Sequence, residues 1–211
     1  MTGTRPDIAN AVNIVSRYQQ NPGNSHWTAI KRILRYRIGT ISTCLTFNGN
    51  SSPGSLGISG YTDSDWAADH GKRRSTSCTL VMGLGGILIW SSKRQNCVAL
   101  STAEAEFVAA CECVKNLQYL RNMLNEMKIP VPRTIEVFED NQGAIAMINN
   151  PTSHSRAKHI DIKYHFIRDL VNLKLIKLKY ISSKDQLADI LTKPLDSTIF
   201  NHLKSLLKLT S

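Results

Sequence analysis

The sequence predicts an α/β fold, and three observations point to it. Strand-like runs at 57–63, 77–84 and 86–92 follow one another closely, joined by short stretches that contain Gly71 and Gly85-Gly86, as in an antiparallel meander. Further strand-like runs at 134–139 and 175–181 are set apart by helical periodicities at 101–128, 141–149 and 157–172, so they can pair in parallel with the first strand. A length of 211 residues suffices for one main hydrophobic core with an appendage.

Taken in order, the front of the chain differs in pattern from the rest. Ile8, Ala11, Val12 and Val15 recur at helical spacing after Pro6, and Trp27, Ile30 and Leu34 repeat the pattern after Asn24. Two amphipathic helices and a short strand over Thr43–Phe47 are expected. The stretch from Asn48 to Leu56 is dense in turn formers and marks a boundary. The expected organisation is therefore a front segment at 1–48, a linker at 49–56, the α/β unit at 57–195 and a helical tail at 196–211. The long helix starts at Ser101-Thr-Ala-Glu104, a capping box in which the Ser oxygen accepts a backbone N–H and the Glu reaches back.

Composition narrows the function classes. A net charge of +10 makes the surface attractive to polyanions, of which nucleic acid is the commonest for such a chain. Cys44, Cys78, Cys97, Cys111 and Cys113 are odd in number and include no CxxC pair, which argues against a zinc module or a disulfide framework and for a reducing environment. No apolar run reaches membrane-spanning length, and the first residues lack signal-peptide architecture. An intracellular, cytoplasmic chain without membrane contact is expected.

Four acids stand in contexts that bring carboxylates to one point. Asp63 ends Gly57-Ile-Ser-Gly-Tyr-Thr-Asp63 and Asp140 ends Thr134-Ile-Glu-Val-Phe-Glu-Asp140, so two strands can present both carboxylates at one sheet edge. Glu106 shares a helical stripe with Ala110, Cys113 and Leu117, while Glu104 turns away and caps the helix. A carboxylate on a buried stripe needs compensation, from a metal ion or from a buried ion pair with Lys or Arg. Asp189 lies on a short helix after Gln186-Leu-Ala. Asp65 and Asp69 read as turn formers, and alternation separates Glu139 from Asp140. Carboxylate oxygens suit hard Mg²⁺, and two such ions about 3.5–4 Å apart activate water and stabilise the leaving oxygen in phosphodiester cleavage. The four acids thus point to a metal-dependent nuclease.

Five ordered blocks strengthen that reading. Tyr-Thr-Asp63-Ser-Asp-Trp-Ala, Ser-Thr-Ala-Glu-Ala-Glu106-Phe, Glu-Asp140-Asn-Gln-Gly-Ala-Ile, the tract from Ser155 to Arg168 and Asp185-Gln-Leu-Ala-Asp189-Ile-Leu-Thr-Lys-Pro-Leu195 resemble the ribonuclease H domain of copia-type LTR retrotransposon polyproteins. At the front, Thr4-Arg-Pro-Asp-Ile-Ala-Asn-Ala-Val12 and His26-Trp-Thr-Ala-Ile-Lys-Arg-Ile-Leu-Arg-Tyr36 are similar to the end of the reverse transcriptase region that precedes this domain. The resemblance implies a ribonuclease H-like fold, a five-stranded mixed sheet flanked by helices. It makes residues 1–48 the end of the reverse transcriptase region. Residue by residue it places the metal site on Asp63, Glu106, Asp140 and Asp189. It implies two Mg²⁺ ions and hydrolysis of the RNA strand of an RNA/DNA hybrid during reverse transcription; the carboxylate ligands would also suit Mn²⁺ as a substitute. The implied partners are that hybrid and the reverse transcriptase portion of the same polyprotein, within a virus-like particle when the element is intact.

The chain departs from many cellular members of the ribonuclease H family in having no His in the segment from Tyr180 to Asp189, and no catalytic His is assigned. No polymerase motif of the Tyr-x-Asp-Asp type is present. Lys72, Arg73, Arg74, Lys93, Arg94, Arg156, Lys158, Lys163 and Arg168 supply positive charge around the expected site and are the candidates for phosphate contact. Binding by such contacts is expected to tolerate any base sequence and to weaken with salt. The competing reading is a noncatalytic nucleic-acid-binding remnant of a truncated or host-recruited polyprotein.

Overall fold

A computed structural model describes residues 2–47, 56–69, 71, 73–150 and 158–210. Five strands form the central sheet: β2 (Ser59–Asp65), β3 (Thr76–Gly83), β4 (Gly86–Arg94), β5 (Ile135–Glu139) and β6 (Ile176–Tyr180), in the order β4-β3-β2-β5-β6. The first three are antiparallel neighbours, and β5 and β6 run parallel to β2. The sequence expectation of a mixed sheet holds. β3 turns into β4 through Leu84 and Gly85, both at positive φ, with Gly83 paired to Gly86. Two consecutive left-handed residues give a turn whose twist matches the flanking strands, which glycine adopts freely and leucine at a cost.

One face of the sheet carries α3 (Thr102–Glu126), α4 (Gln142–Asn149) and α5 (Lys158–Asn172). Ile58, Val81, Phe107, Val114, Leu117, Val137 and Ile167 lie in the core on this face. α3 approaches β2 closely because Gly60 has no side chain: a Cβ there would lie 2.9 Å from Cys113 Sγ and 3.0 Å from a Leu117 methyl. At the helix start the Ser101 hydroxyl accepts from Glu104 N–H as expected, but Glu104 Oε2 accepts from Leu100 N–H, one residue before the cap.

The other face is covered by the two ends of the chain. Leu187, Ile190 and Leu191 of the 3-10 segment Leu187–Leu191 pack with Cys78, Leu80 and Ile87 of the sheet, with Leu203 and Leu207 near the end of the chain and with Ala9 near its start. Ala9 opens α1 (Ala9–Ser16), which is followed by α2 (Asn24–Gly39). Between them a buried network forms: Arg5 donates to both Asp7 oxygens at 2.8 and 3.0 Å and to Thr40 O, while Tyr36 OH donates to Asp7 Oδ2 at 2.8 Å. β1 (Cys44–Leu45) pairs with β7 (Leu209–Thr210), which follows α6 (Ser197–Leu206), so the front segment and the tail are hydrogen-bonded to each other. Both expected front helices form, yet α2 buries none of its residues, and Trp27 and Leu34 of its expected apolar face are exposed. Helical spacing identifies a possible inner face, and it does not say that the rest of the chain will cover it.

Candidate metal centre

The acids meet at the carboxyl ends of β2 and β5, the two parallel strands at the centre of the sheet. Asp63 does not end its strand as expected. Pairing with β3 continues through Ser64↔Ser77 and Asp65↔Thr76, which leaves the Asp63 side chain inside the molecule and puts Asp65 in the strand rather than in a turn. Asp140 follows the last residue of β5. Its Oδ2 accepts from Ser183 Oγ at 2.7 Å. Glu106 comes from the second turn of α3 and is buried with the stripe predicted for it. Ligand oxygens of Asp63, Glu106 and Asp140 lie within 4.8 Å of one another, the grouping suited to a metal ion among the described residues.

Electrostatics at this point are adverse without a cation. Burial, followed by the nearby Glu139, Asp63 and Asp140 carboxylates, raises the Glu106 pKa far above the usual carboxylate range. Glu106 Oε2 is buried with no hydrogen-bond partner. Glu139, which strand alternation was expected to separate from Asp140, is fully buried, and burial likewise raises it. Its Oε1 accepts from Asn141 N–H at 3.0 Å while Oε2 is unpartnered. The donors are hard carboxylate oxygens, one of them buried and unsatisfied, a set that fits a divalent cation such as Mg²⁺ or Mn²⁺.

Asp189, on the segment that covers the opposite face of the sheet, is not part of that grouping and is joined to Asp63 by a lysine. Lys193 Nζ donates to Asp63 Oδ1 at 2.9 Å and to Asp189 Oδ1 at 3.0 Å. The Thr192 hydroxyl donates to Asp63 Oδ2. Burial and the Asp63 charge raise the Asp189 pKa to about 6, against the lowering effect of Lys193. Gln186, fully buried, donates to Thr62 O at 3.0 Å and anchors this segment to β2. Sequence reasoning did not single out Thr192, Lys193, Ser183 or Gln186. A signal for Lys193 was present, since Asp189 and Lys193 have the i, i+4 spacing of a helical ion pair.

The basic candidates divide. Lys93, Arg94 and Lys163 line one groove of about 370 Å³ together with Ser77, Thr79 and Lys115. Arg94 also pairs with Asp69 at 2.7 Å, and Asp69 accepts from Gly71 N–H as the turn former it was expected to be. Arg168 lies over the Tyr164 ring at 5.0 Å. Arg73 is exposed and Arg74 half-buried in the loop before β3. Lys72 and Arg156 lie outside the described residues, as does the side chain of Lys158.

Strand order, mixed pairing and helices on both faces make this a ribonuclease H-like domain, with an acidic cluster compatible with divalent metal binding at its centre. The chain is 43% identical over all of its 211 residues to the retrovirus-related Pol polyprotein from transposon TNT 1-94 of Nicotiana tabacum, and 38% identical over 98% of its length to that from transposon RE1 of Arabidopsis thaliana. It spans 16% and 14% of those relatives. Among solved structures, an RNase H1 isolated from compost superposes with a TM-score of 0.47 at 18% identity, covering 64% of this chain and 91% of that one. No family model matches. Over its length the chain is similar to a segment of the retrovirus-related Pol polyproteins of transposons. Among the described residues no helix is long and apolar enough to cross a membrane.

Proposed function

We propose that this domain is the ribonuclease H of a copia-type retrotransposon polyprotein, which hydrolyses the RNA strand of RNA/DNA hybrids during reverse transcription. The observation that carries the proposal is the convergence of Asp63, Glu106 and Asp140 from three separate elements, with one Glu106 oxygen buried and unpartnered. These three acids, with Asp189 beside them, would hold two Mg²⁺ ions, and Mn²⁺ would substitute. Bound there, the cations supply water activation and stabilisation of the leaving 3′ oxygen.

The chain's own groups do the positioning. Thr192 and Lys193 fix the Asp63 carboxylate, Ser183 fixes Asp140, and α3 holds Glu106 beneath both. Lys93, Arg94 and Lys163 line a groove suited to phosphates, so hybrid is recognised by backbone and 2′-hydroxyl contacts, not by base sequence. Residues 1–48 serve as the end of the reverse transcriptase region, which makes that region of the polyprotein the partner that presents the hybrid.

The test is cleavage of a hybrid labelled separately on its RNA and DNA strands, with Mg²⁺, by the wild-type chain and by Asp140→Asn. RNA-strand cleavage that leaves 3′-hydroxyl and 5′-phosphate ends and falls at least about 100-fold in the variant is expected. A folded wild type that binds hybrid and cuts neither strand would make the domain a binding remnant, and strand joining would make it a transferase.

A further inference from the structure

The carboxylate cluster is divided by a covalent cation. On one side, Asp63, Glu106 and Asp140 converge, and Glu106 Oε2 is buried with no partner. On the other, Lys193 Nζ sits between Asp63 Oδ1 and Asp189 Oδ1, 2.9 and 3.0 Å away. The lysine is placed by the backbone: Lys193 N–H and Thr192 N–H both donate to Asp189 O, which winds the chain so that the two side chains share one face. The Lys193 side chain remains 35% exposed while that of Asp63 is fully enclosed, so the ammonium closes the solvent side of this pair. An ammonium at hydrogen-bond distance from both oxygens occupies the space a cation bridging the same two oxygens needs, and its charge repels one.

Resting on the nuclease reading above, we propose that Lys193 is the resident cation of the Asp63–Asp189 side of the cluster. The chain free of nucleic acid accordingly holds a single divalent ion, at Asp63, Glu106 and Asp140. The position beside Asp189 opens to a second ion only when Lys193 moves off the two aspartates, and a substrate phosphate, an anion, is the group able to draw an ammonium away.

The test counts bound Mn²⁺ on the full chain without nucleic acid, by the loss of the free-ion paramagnetic resonance signal. Wild type is expected to take up one ion per chain, with any second ion at least tenfold weaker. Lys193→Met, its fold checked by circular dichroism, is expected to take up two ions with affinities within tenfold. Lys193→Arg, which keeps the charge, should stay at one, and it serves as the folded comparison should the methionine variant be unstable. Two equal ions on wild type, one ion on Lys193→Met, or two on Lys193→Arg would overturn the proposal. These outcomes are separable from failure of the nuclease reading, which would appear as no Mn²⁺ bound by wild type, or as binding that survives Asp140→Asn together with absent hybrid cleavage.

Discussion

Glu106 and Glu139 are carboxyls in a place where the protein makes charge expensive. Burial first, and neighbouring acids second, raise Glu106, while burial dominates for Glu139, so both hold protons at pH values where they are ionised in the unfolded chain, whose ordinary value is 4.5. Between that value and the raised folded ones the native state binds more protons than the unfolded state. The stability of the metal-free chain therefore falls as pH rises above about 4.5. A divalent ion needs the ionised ligands, so its stabilising effect runs the other way and grows with pH. Added Mn²⁺ at about 100 times its dissociation constant is expected to raise Tm by roughly 5–10 °C at pH 8. At pH 5 the rise should be much smaller, and a thermal melt series across pH checks both trends. The convergence of Asp63, Glu106 and Asp140 was legible in the sequence because each sits in a short block with a strand or helix signal. Lys193 and Ser183 were not, because their roles depend on where a 3-10 segment and a strand-end loop bring them in space.

At the scale of elements, the site depends on how closely α3 lies on β2. Gly60 permits that approach beside Cys113 and Leu117, seven and eleven positions after Glu106 along the helix. Gly60→Val would push its branches into both side chains, and overpacking of this kind costs about 1–3 kcal/mol. The expected result is a lower urea midpoint together with weaker cleavage, since lifting α3 also displaces Glu106. Unchanged stability would mean that α3 is free to shift. Element types and their order could be read from periodicity and turn residues, including the antiparallel meander and the parallel return of β5 and β6. The ends were less legible: β2 runs two residues past Asp63 because pairing to β3, a contact distant in sequence, continues through Asp65. For the same reason the strand expected over Thr43–Phe47 is only Cys44–Leu45, the residues that find a partner in β7.

For the whole molecule, the sheet acts as the plate on which two layers bring side chains toward Asp63. The long helix brings Glu106 from one face, the segment after Gln186 brings Asp189 and Lys193 from the other, and Asp63 lies between them. The front segment supports the second layer, through Ala9 in its core and through the pairing of β1 with β7. Helical spacing in residues 1–48 gave no sign of that long-range contact, because the residues it joins are more than 160 positions apart in the chain, as with Cys44 and Thr210. The most direct measurement of the convergence is the position of Mn²⁺ by anomalous diffraction in crystals of the chain. The expected result is a peak within coordination distance of Asp63, Glu106 and Asp140. A peak elsewhere, or no peak beside those acids at millimolar Mn²⁺, would contradict the assignment of the cluster as the metal centre.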